Sequence, residues 1–329
     1  MFNKPRLLTP GPTPLPERVR LALAQDMIHH RKPGFKKILL ETETMLQKLF
    51  GTEQPVLPLS CSGTGAMTAA VHGLFLPGET VIVVNGGKFG ERWSKIAAVR
   101  GLKVVEIDVA WGQAVTPAQV EQALREHPEA KGVFMQVCET STAAQHPVEA
   151  IARLTRTREV LLVADGISAV GISPCPMDAW GIDCLLTGSQ KGLMVPPGMA
   201  LMALSARAWK RAESIPVSCF YFNLAGERDN LLKGQGLFTS PVNLIVGLHE
   251  SLSMLFEEGG LDALYRKQWA LTCMVRTGAL ALDLAPVRAH ALRMGRHQHH
   301  AARRSGRRQA PQGGGRRMRH HIRGGTRSL

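Results

Sequence analysis

Apolar runs rich in β-branched residues alternate with amphipathic stretches over residues 1 to about 285. The runs predict buried strands, and the stretches between them predict helices. Alternation of this kind is typical of an α/β fold, in which helices sandwich a mostly parallel mixed sheet. The predicted strands are Thr80–Val84, Lys103–Ile107, Gly132–Gln136, Val160–Ala164, Cys184–Thr187 and Ala200–Leu204.

Helix signals are clearest in the middle and towards the end of this region. Thr116 and Pro117 predict a helix over Ala118–Glu126, because proline fits the first helical position. Pro241–Phe256 and Gly260–Leu284 predict two long helices. The second has apolar residues at helical spacing, including Leu264, Leu271, Val275 and Leu282.

The pattern divides the chain into four predicted segments. Residues 1–16 form an N-terminal arm, 17–245 a large domain, and 246–286 a helical connection towards a smaller domain. Residues 287–329 lose both the strand period and the helical apolar stripe, and consist mainly of Arg, His, Gly, Gln and Ala. We expect this last segment to be disordered.

The formal net charge of +14 is concentrated in that last segment. Twelve arginines and no acidic residue lie in 287–329, which leaves +2 for the rest of the chain. Because the segment also lacks aromatic residues that stack on bases, it would bind nucleic acid only nonspecifically and in a salt-sensitive way. A non-catalytic chain with a basic nucleic-acid-binding tail stays as an alternative, but no specific nucleic-acid partner is expected.

Composition also bears on compartment and on metal chemistry. No apolar run approaches the ~20 residues of a membrane span, and Met1–Pro5 lacks the apolar segment of a signal peptide, so we expect a cytoplasmic protein without a membrane partner. The cysteines include no CxxC pair and no histidine at ligand spacing, which predicts free thiols and no metal site. These cysteines are Cys61, Cys138, Cys175, Cys184, Cys219 and Cys273.

A lysine and an aspartate follow two of the predicted strands. Lys191 lies in Gly188–Gly192, directly after the apolar run Cys184–Leu186, and Asp165 ends the run that begins at Val160. Open α/β sheets bind ligands at the carboxyl ends of their strands. A carboxylate there can hold a pyridinium nitrogen protonated, which makes the ring an electron sink. Taken singly, the two residues also fit a solvated loop lysine and a helix-capping aspartate.

A turn of small residues precedes an earlier helix. Leu59 ends a short strand, and Ser62, Gly63 and Thr64 lead into the predicted helix Ala66–Phe75. Free backbone amides and the positive helix end suit a phosphate dianion, and the two hydroxyls add donors. The turn is neither a Walker loop nor a dinucleotide-binding GxGxxG. A bare Gly-Ser turn is the alternative.

Together these residues resemble the class V, fold-type I pyridoxal-phosphate aminotransferases, in the group of alanine-glyoxylate, serine-glyoxylate and serine-pyruvate aminotransferases. The resemblance covers about residues 6 to 285 and rests on the order and approximate spacing of several motifs. These are Leu8-Thr9-Pro10-Gly11-Pro12-Thr13, Ser62-Gly63-Thr64, Asn85–Arg92, Glu139-Thr140-Ser141-Thr142, Asp165, Gly188-Ser189-Gln190-Lys191 and Pro196-Pro197-Gly198.

The resemblance implies pyridoxal 5′-phosphate as the cofactor of the large domain, with Lys191 as its Schiff-base lysine and Asp165 beside the ring nitrogen. It also implies that Phe89 stacks on the ring, that Ser141 lies near the 3-hydroxyl, and that Thr239 reaches the phosphate of the neighbouring subunit in a homodimer. The full set of implied cofactor-binding residues is Ser62, Gly63, Thr64, Phe89, Ser141, Asp165, Ile167, Gln190, Lys191 and Thr239.

The implied activity is transamination of a small amino acid, alanine or serine, with glyoxylate or pyruvate as the acceptor. Two features depart from the family. Relatives bind the substrate carboxylate with an arginine of the small domain in an Arg-Ile-Gly-like context, which is absent here, and Gly236 stands where some relatives have an aromatic residue. We therefore expect a truncated or scrambled C-terminal small domain and impaired activity.

A shift of reading frame would explain this C-terminal end. The codons of Met318–Thr326, shifted by one nucleotide, can encode Cys-Gly-Ile-Thr-Phe-Ala-Gly-Gly-Gln, which resembles a small-domain stretch of the family. Those of Met294–His299 can be reread as Trp-Gly-Val-Thr-Ser-Ile. We hypothesise a frameshift, which sequencing of the gene tests. The hypothesis fails if no one-base shift restores an apolar, periodic protein.

Two other branches of the same superfamily were weighed as alternatives. Cysteine desulfurases use a cysteine on a mobile loop, whereas Cys219 lies in the apolar stretch Val217–Phe222, which does not predict such a loop. Aminoethylphosphonate transaminases need phosphonate-binding residues, and none is identified in this sequence.

Overall fold

The structure is a computed structural model that describes residues 7–257 and 259–284, so the segment 287–329 lies outside the described residues. The helices are α1 (Glu17–Leu23), α2 (Pro33–Phe50), α3 (Gly63–Leu74), α4 (Lys88–Val99), α5 (Pro117–Glu126), α6 (Val148–Arg156), α7 (Met177–Trp180), α8 (Ala206–Glu213), α9 (Leu224–Leu231), α10 (Val242–Phe256) and α11 (Gly260–Ala281). The strands are β1 (Val56–Leu59), β2 (Thr80–Asn85), β3 (Lys103–Asp108), β4 (Gly132–Gln136), β5 (Cys138–Glu139), β6 (Ala144–Gln145), β7 (Leu161–Asp165), β8 (Cys184–Gly188) and β9 (Ala200–Leu204).

One seven-stranded mixed sheet has the strand order β1-β9-β8-β7-β4-β2-β3. The strands from β8 to β3 run parallel, and β9 is antiparallel to both β8 and β1. The predicted α/β fold with a mostly parallel sheet is therefore confirmed, and all six predicted strands are present with bounds that differ by at most one residue. The hairpin of β5 and β6 was not predicted, because two-residue strands are too short to show a period.

Aromatic packing fixes α3 and α4 on one face of this sheet. Phe134 in β4 lies 5.0 Å from Phe75, which follows α3, and 5.1 Å from Trp93 in α4, measured between ring centroids. All three side chains are fully buried. Because alternate residues of a strand face the same side, Gln136 points to the same face as Phe134. Helices α3 and α4 therefore cover the face of the sheet on which Gln136 lies.

The carboxyl ends of the parallel strands lie side by side at one end of the sheet, its carboxyl edge. Gln136 at the end of β4 pairs in register with Asp165 at the end of β7. Asp165 in turn pairs with Leu186, close to the end of β8. Lys191 follows β8 three residues later. Tertiary structure thus brings to one place the charged residues that the sequence shows on separate strands.

Two of the predicted helix starts are informative. The Thr116 hydroxyl accepts a hydrogen bond from the Gln119 amide at 3.3 Å, and the Gln119 side chain accepts one from the Thr116 amide at 2.9 Å. This reciprocal capping box explains why α5 begins at Pro117, one residue before the predicted start. By contrast, α3 begins at Gly63, three residues earlier than predicted, because Ser62 caps it.

Helix α11 is present as predicted, but it ends at Ala281 and none of its residues is buried. Its first turns pack on the core through Leu261 and Leu264. Farther along, Leu271, Val275 and Leu282 are 47%, 72% and 73% exposed. The apolar period therefore predicted the helix correctly, and nothing among the described residues buries its second half.

A buried aspartate ties the central strands to the helix that follows β9. One carboxylate oxygen of Asp183 accepts the Leu162 amide of β7 at 2.8 Å. The other accepts the Ser205 hydroxyl at 2.9 Å and the Arg207 Nε at 3.1 Å. Asp183 is 3% exposed. Because a buried charge must be paired to be tolerated, this cluster holds β7 and β8 in register behind the site.

Asp183→Ala should lower the free energy of unfolding by at least about 2 kcal/mol, because it leaves a buried amide and a guanidinium group without their acceptor. Urea denaturation monitored by circular dichroism measures this change. The matched control is Glu149→Ala, which removes an exposed i,i+4 ion pair with Arg153 and should cost less than about 1 kcal/mol. An equal decrease in the free energy of unfolding of both variants would contradict the stabilising role of the buried Asp183.

Candidate active site

The side chain of Lys191 lies against the N-terminal arm. It is 9% exposed, and its Nζ donates a hydrogen bond to the Pro10 carbonyl oxygen at 3.2 Å. A Cβ atom on Gly11 would come within 2.5 Å of Lys191 Cδ, so only glycine allows this approach. The Thr13 hydroxyl donates to the Lys191 carbonyl at 3.0 Å, and the Thr13 amide to the Gln190 carbonyl at 3.0 Å. The arm is therefore fastened to the loop that carries the lysine.

A cavity of about 490 Å³ opens beside Lys191. This volume lies within the range of roughly 300–1,000 Å³ typical of small-molecule sites. The arm contributes Thr13, the loop after β8 contributes Met194, and the end of α10 and the start of α11 contribute Glu257 and Lys267. The amine thus faces a space large enough for a small substrate.

Asp165 is the second buried charge of the site. It is 4% exposed, and its Oδ1 accepts the Ile167 amide at 2.8 Å. Among the residues described, no group donates to its Oδ2. Burial raises the pKa of Asp165 to about 7; the hydrogen bond from Ile167 lowers it, the Glu139 charge raises it, and Arg92 and Lys191 lower it.

The electrostatic interaction between Asp165 and Lys191 also affects the pKa of the lysine. Burial lowers the pKa of Lys191 below its ordinary value, and the negative charge of Asp165 opposes that effect. Since each group influences the pKa of the other, the amine and the carboxylate lie within electrostatic reach at the same edge of the sheet.

The turn before α3 has the properties of an anion site. The Ser62 Oγ accepts the Gly65 amide at 3.3 Å, and the amides of Gly63 and Thr64 precede the first intrahelical hydrogen bond. The Thr64 hydroxyl accepts Arg92 Nη1 at 3.0 Å, which brings a positive charge to the turn. A side chain at Gly63 would collide with Ile167, so the turn lies directly beside the residue that follows Asp165 by two positions.

The first turn of α4 supplies the other side of the site. Phe89 is half-buried, and the Arg92 guanidinium carbon lies 4.8 Å from its ring centroid. The Ser141 hydroxyl accepts the Lys88 amide at 3.1 Å and donates to Glu139 Oε1 at 2.6 Å. Phe89 and Ser141 are therefore held next to each other by one small network.

Two further predicted residues lie in different settings. The Gln190 side chain folds over Gly188, with its Oε1 at 2.7 Å from where a Cβ of that glycine would be. Thr239 is exposed and lines a surface pocket with Ser60 and Tyr221 that includes neither Lys191 nor Asp165.

Three contributors to the site were not assigned from the sequence. Glu139 is fully buried and accepts hydrogen bonds from the start of α4. Arg92 links Thr64 to Phe89. Gln136 is 1% exposed, and its amide oxygen and nitrogen have no hydrogen-bond partner among the described residues. The first two stand in quoted motifs, but no local pattern indicates what their side chains contact.

Comparison with known proteins identifies the family. The sequence model of the family Aminotransferase class-V matches residues 12–292. The chain therefore belongs to the class V aminotransferases, and its sheet and helices are those of the fold-type I pyridoxal-phosphate enzymes.

Individual relatives agree with this family but differ in name. The chain is 36% identical to a protein of Synechococcus sp. named soluble hydrogenase, small subunit, over 86% of this chain and 74% of that protein. It is 32% identical to a serine-glyoxylate aminotransferase of Methylorubrum extorquens, over 84% and 71% of the two chains. The solved structure of an alanine-glyoxylate aminotransferase from Nostoc sp. superposes with a TM-score of 0.80 at 28% identity and covers 86% of this chain and 76% of its own.

The family implies pyridoxal phosphate, and the residues present fit it. The turn before α3 offers free amides, hydroxyls and the Arg92 charge to a phosphate group. Asp165 Oδ2 and the side-chain amide of Gln136 have no partner in the described part of the chain. They lie at the same level of adjacent strands, where hydrogen-bonding capacity is therefore unused. Lys191 provides a buried amine with a lowered pKa. Each chemical part of the cofactor thus finds a matching group.

The structure corrects one expectation about the cysteines. Cys219 lies in the loop between α8 and α9, and Val217 and Phe220 beside it are 62% and 84% exposed. The apolar stretch is therefore not a buried strand or helix. The adjacent Ser218 hydroxyl contacts His72 at 3.1 Å. Ser218, next to Cys219, therefore lies at the last turn of α3, where His72 is roughly 13 Å along the helix from Gly63.

Asp165 generates a pH-dependent prediction. An acid whose pKa is higher in the folded state destabilises the fold once its unfolded form ionises. This cost is absent below about pH 4 and is complete above a pH of about 7. Asp165→Asn should therefore raise the free energy of unfolding of the cofactor-free protein by up to about 4 kcal/mol above that window, and leave it unchanged below it.

Urea denaturation at several pH values measures this effect. The control is Asp229→Asn, whose side chain is 55% exposed and which should change stability little at any pH. If Asp165→Asn raised the free energy of unfolding equally at acid and alkaline pH, ionisation of Asp165 would not be the cause of the increase.

Proposed function

We propose that this chain transfers the amino group of a small amino acid, alanine or serine, to glyoxylate or pyruvate with pyridoxal phosphate as its cofactor. The observation that carries the proposal is the mutual influence of Lys191 and Asp165 at one buried sheet edge, beside an anion-binding turn. When bound, pyridoxal phosphate supplies an electron-withdrawing ring that takes up the electron pair left by the departing α-proton.

The chain's own residues divide the remaining tasks. Lys191 Nζ accepts the α-proton of the substrate, and its lowered pKa favours the neutral amine that this step requires. When the cofactor is bound, the Asp165 carboxylate would hold a proton on the ring nitrogen. The Pro10 carbonyl, which accepts a hydrogen bond from Lys191 Nζ, keeps the amine in place before substrate arrives.

Other residues bind and orient the cofactor. The amides of Gly63 and Thr64 and the hydroxyls of Ser62 and Thr64 hold the phosphate at the positive end of α3. When the cofactor is bound, Phe89 would pack on its ring, Ile167 would add an apolar contact, and Ser141 and Gln190 would bind its polar edge. The exposed Thr239 would reach the phosphate of a second subunit, which makes the proposed functional unit a homodimer with shared sites.

The choice of substrate rests on the relatives, whose names point to different activities. The Methylorubrum and Nostoc proteins are named for glyoxylate as the acceptor, whereas the Synechococcus protein is named as a hydrogenase subunit. The buried amine and carboxylate favour the first reading, because proton transfer at an amino acid's α-carbon needs both groups.

Lys191→Ala should abolish the visible absorbance of protein-bound pyridoxal phosphate and lower the rate of amino transfer by on the order of 10²–10⁴-fold, since it removes the base that moves the proton. Absorbance titration with pyridoxal phosphate and product analysis with serine or alanine plus glyoxylate measure both effects.

The control for this experiment is Lys210→Ala, which removes an exposed lysine on α8. It should bind cofactor and turn over like the unaltered chain. An unaltered chain that neither binds pyridoxal phosphate nor transfers an amino group would contradict the proposed function, and unchanged absorbance in Lys191→Ala would contradict the role of the lysine.

A further inference from the structure

Glu139 is a fully buried carboxylate, and no cationic side chain among residues 7–257 and 259–284 donates a hydrogen bond to it. Its Oε2 accepts the amides of Phe89 and Gly90, each at 3.1 Å. Its Oε1 accepts the Ser141 amide at 3.0 Å and the Ser141 hydroxyl at 2.6 Å. Four donors thus surround one charge, which is the number that an ionised carboxylate can accept.

These donors compensate the cost of burying the charge. An ionised carboxylate buried without partners would cost far more than the roughly 2–7 kcal/mol of a buried neutral polar group. Here two of the donors belong to the first turn of α4, where amides lack intrahelical acceptors and the helix end is positive. Glu139 is therefore the acceptor for amides that the helix itself leaves free.

The backbone at Gly87 closely approaches the Glu139 carboxylate and the Ser141 hydroxyl. A Cβ atom on Gly87, the residue before α4, would collide with the Ser141 hydroxyl and come within 2.6 Å of Glu139 Cδ. The φ angle of Gly87 is 168°, an extended value that other residues also adopt, so the restriction at this position is one of space. The sequence needs a glycine here in order for strand, carboxylate and helix to approach.

The residues that Glu139 holds are those that the cofactor requires. Phe89 carries the ring that packs on the cofactor, and Ser141 carries a hydroxyl for its polar edge. Glu139 also lies close enough to Asp165 for its charge to raise the pKa of that carboxyl. One side chain thus touches or influences three site residues from three different segments.

We propose that Glu139 is a positioning residue of the active site, which fixes the Phe89 ring and the Ser141 hydroxyl through its four hydrogen bonds. The proposal rests on the proposed function, because it assigns these two residues to the cofactor. Glu139 itself touches neither substrate nor the reacting atoms. It acts through the first turn of α4 and through the loop after β5.

The charged groups that act on Asp165 give the proposal a second consequence. They are Glu139 after β4, Arg92 on α4 and Lys191 after β8. Removing the Glu139 charge leaves the other two, both of which lower the pKa of Asp165. The pH window over which Asp165 destabilises the cofactor-free protein should then shift towards acid.

The decisive variant is Glu139→Gln, which keeps the size of the side chain but turns one acceptor oxygen into an NH2 donor. Either the amides of Phe89 and Gly90 or that of Ser141 then face a donor. Hydrogen exchange followed by mass spectrometry on the cofactor-free chain should show at least a tenfold acceleration at one of these sites. Affinity for pyridoxal phosphate should fall by on the order of tenfold, equivalent to about 1.4 kcal/mol.

Three comparisons separate positioning from a general loss of structure. Glu149→Gln, an exposed change on α6, should leave exchange, affinity and pH dependence unaltered. Glu139→Asp keeps the charge but shortens the side chain. Compared with Glu139→Gln, its pH dependence of stability should therefore return closer to that of the unaltered chain than its affinity for pyridoxal phosphate does. Gly87→Ala pushes the carboxylate and Ser141 apart without removing either, and should lower the affinity; it decides the matter if Glu139→Gln does not fold.

The proposal is overturned if Glu139→Gln folds and matches Glu149→Gln in amide exchange, cofactor affinity and pH profile. If Glu139→Gln does not fold, an unaltered affinity of Gly87→Ala for pyridoxal phosphate also overturns the proposal. Failure of the unaltered chain to bind pyridoxal phosphate would instead refute the proposed function. Amide exchange would then still report whether Glu139 holds the first turn of α4.

Discussion

The balance of charge at one buried sheet edge is the constraint on which the rest of the site depends. Asp165, Lys191, Glu139 and Arg92 come from four segments, and all of them act on the ionisation of Asp165. In a medium of low polarity each charge must be compensated locally. Burial raises the pKa of the carboxyl and lowers that of the amine, while their mutual attraction opposes both shifts.

Helix ends supply much of that compensation. The first turn of α4 donates two amides to Glu139, and the first turn of α3 leaves two amides for an anion. Both helices lie on the face of the sheet that carries Phe134, Gln136 and Asp165. Helices placed in this way bring their positive ends to the carboxyl edge of the strands, where ligands of open α/β folds bind.

The cavity beside Lys191 is assembled from parts that are distant in the chain. The N-terminal arm reaches the lysine loop across 178 positions, through the hydrogen bond from Thr13 to Lys191. The end of α10 and the start of α11 close another side. Helix α11 continues beyond the cavity with its apolar residues largely exposed. The wall of this cavity therefore depends on segments at both ends of the described chain, whereas Asp165 and Gln136 belong to the sheet itself.

The sequence by itself determined the strands of the sheet, the long helices and the two charged residues at strand ends, because periods of 2 and 3.6 and short motifs are local properties. The identity of Lys191 and Asp165 as a pair came from family resemblance, and their mutual influence came from the structure. Only the tertiary structure showed the contacts of Glu139, because its partners include backbone amides 49 and 50 positions away, and amides have no sequence signature. The sequence also shows that the residues around Cys219 and in the second half of α11 are apolar. It does not show whether they are buried, because burial depends on which segments pack against them.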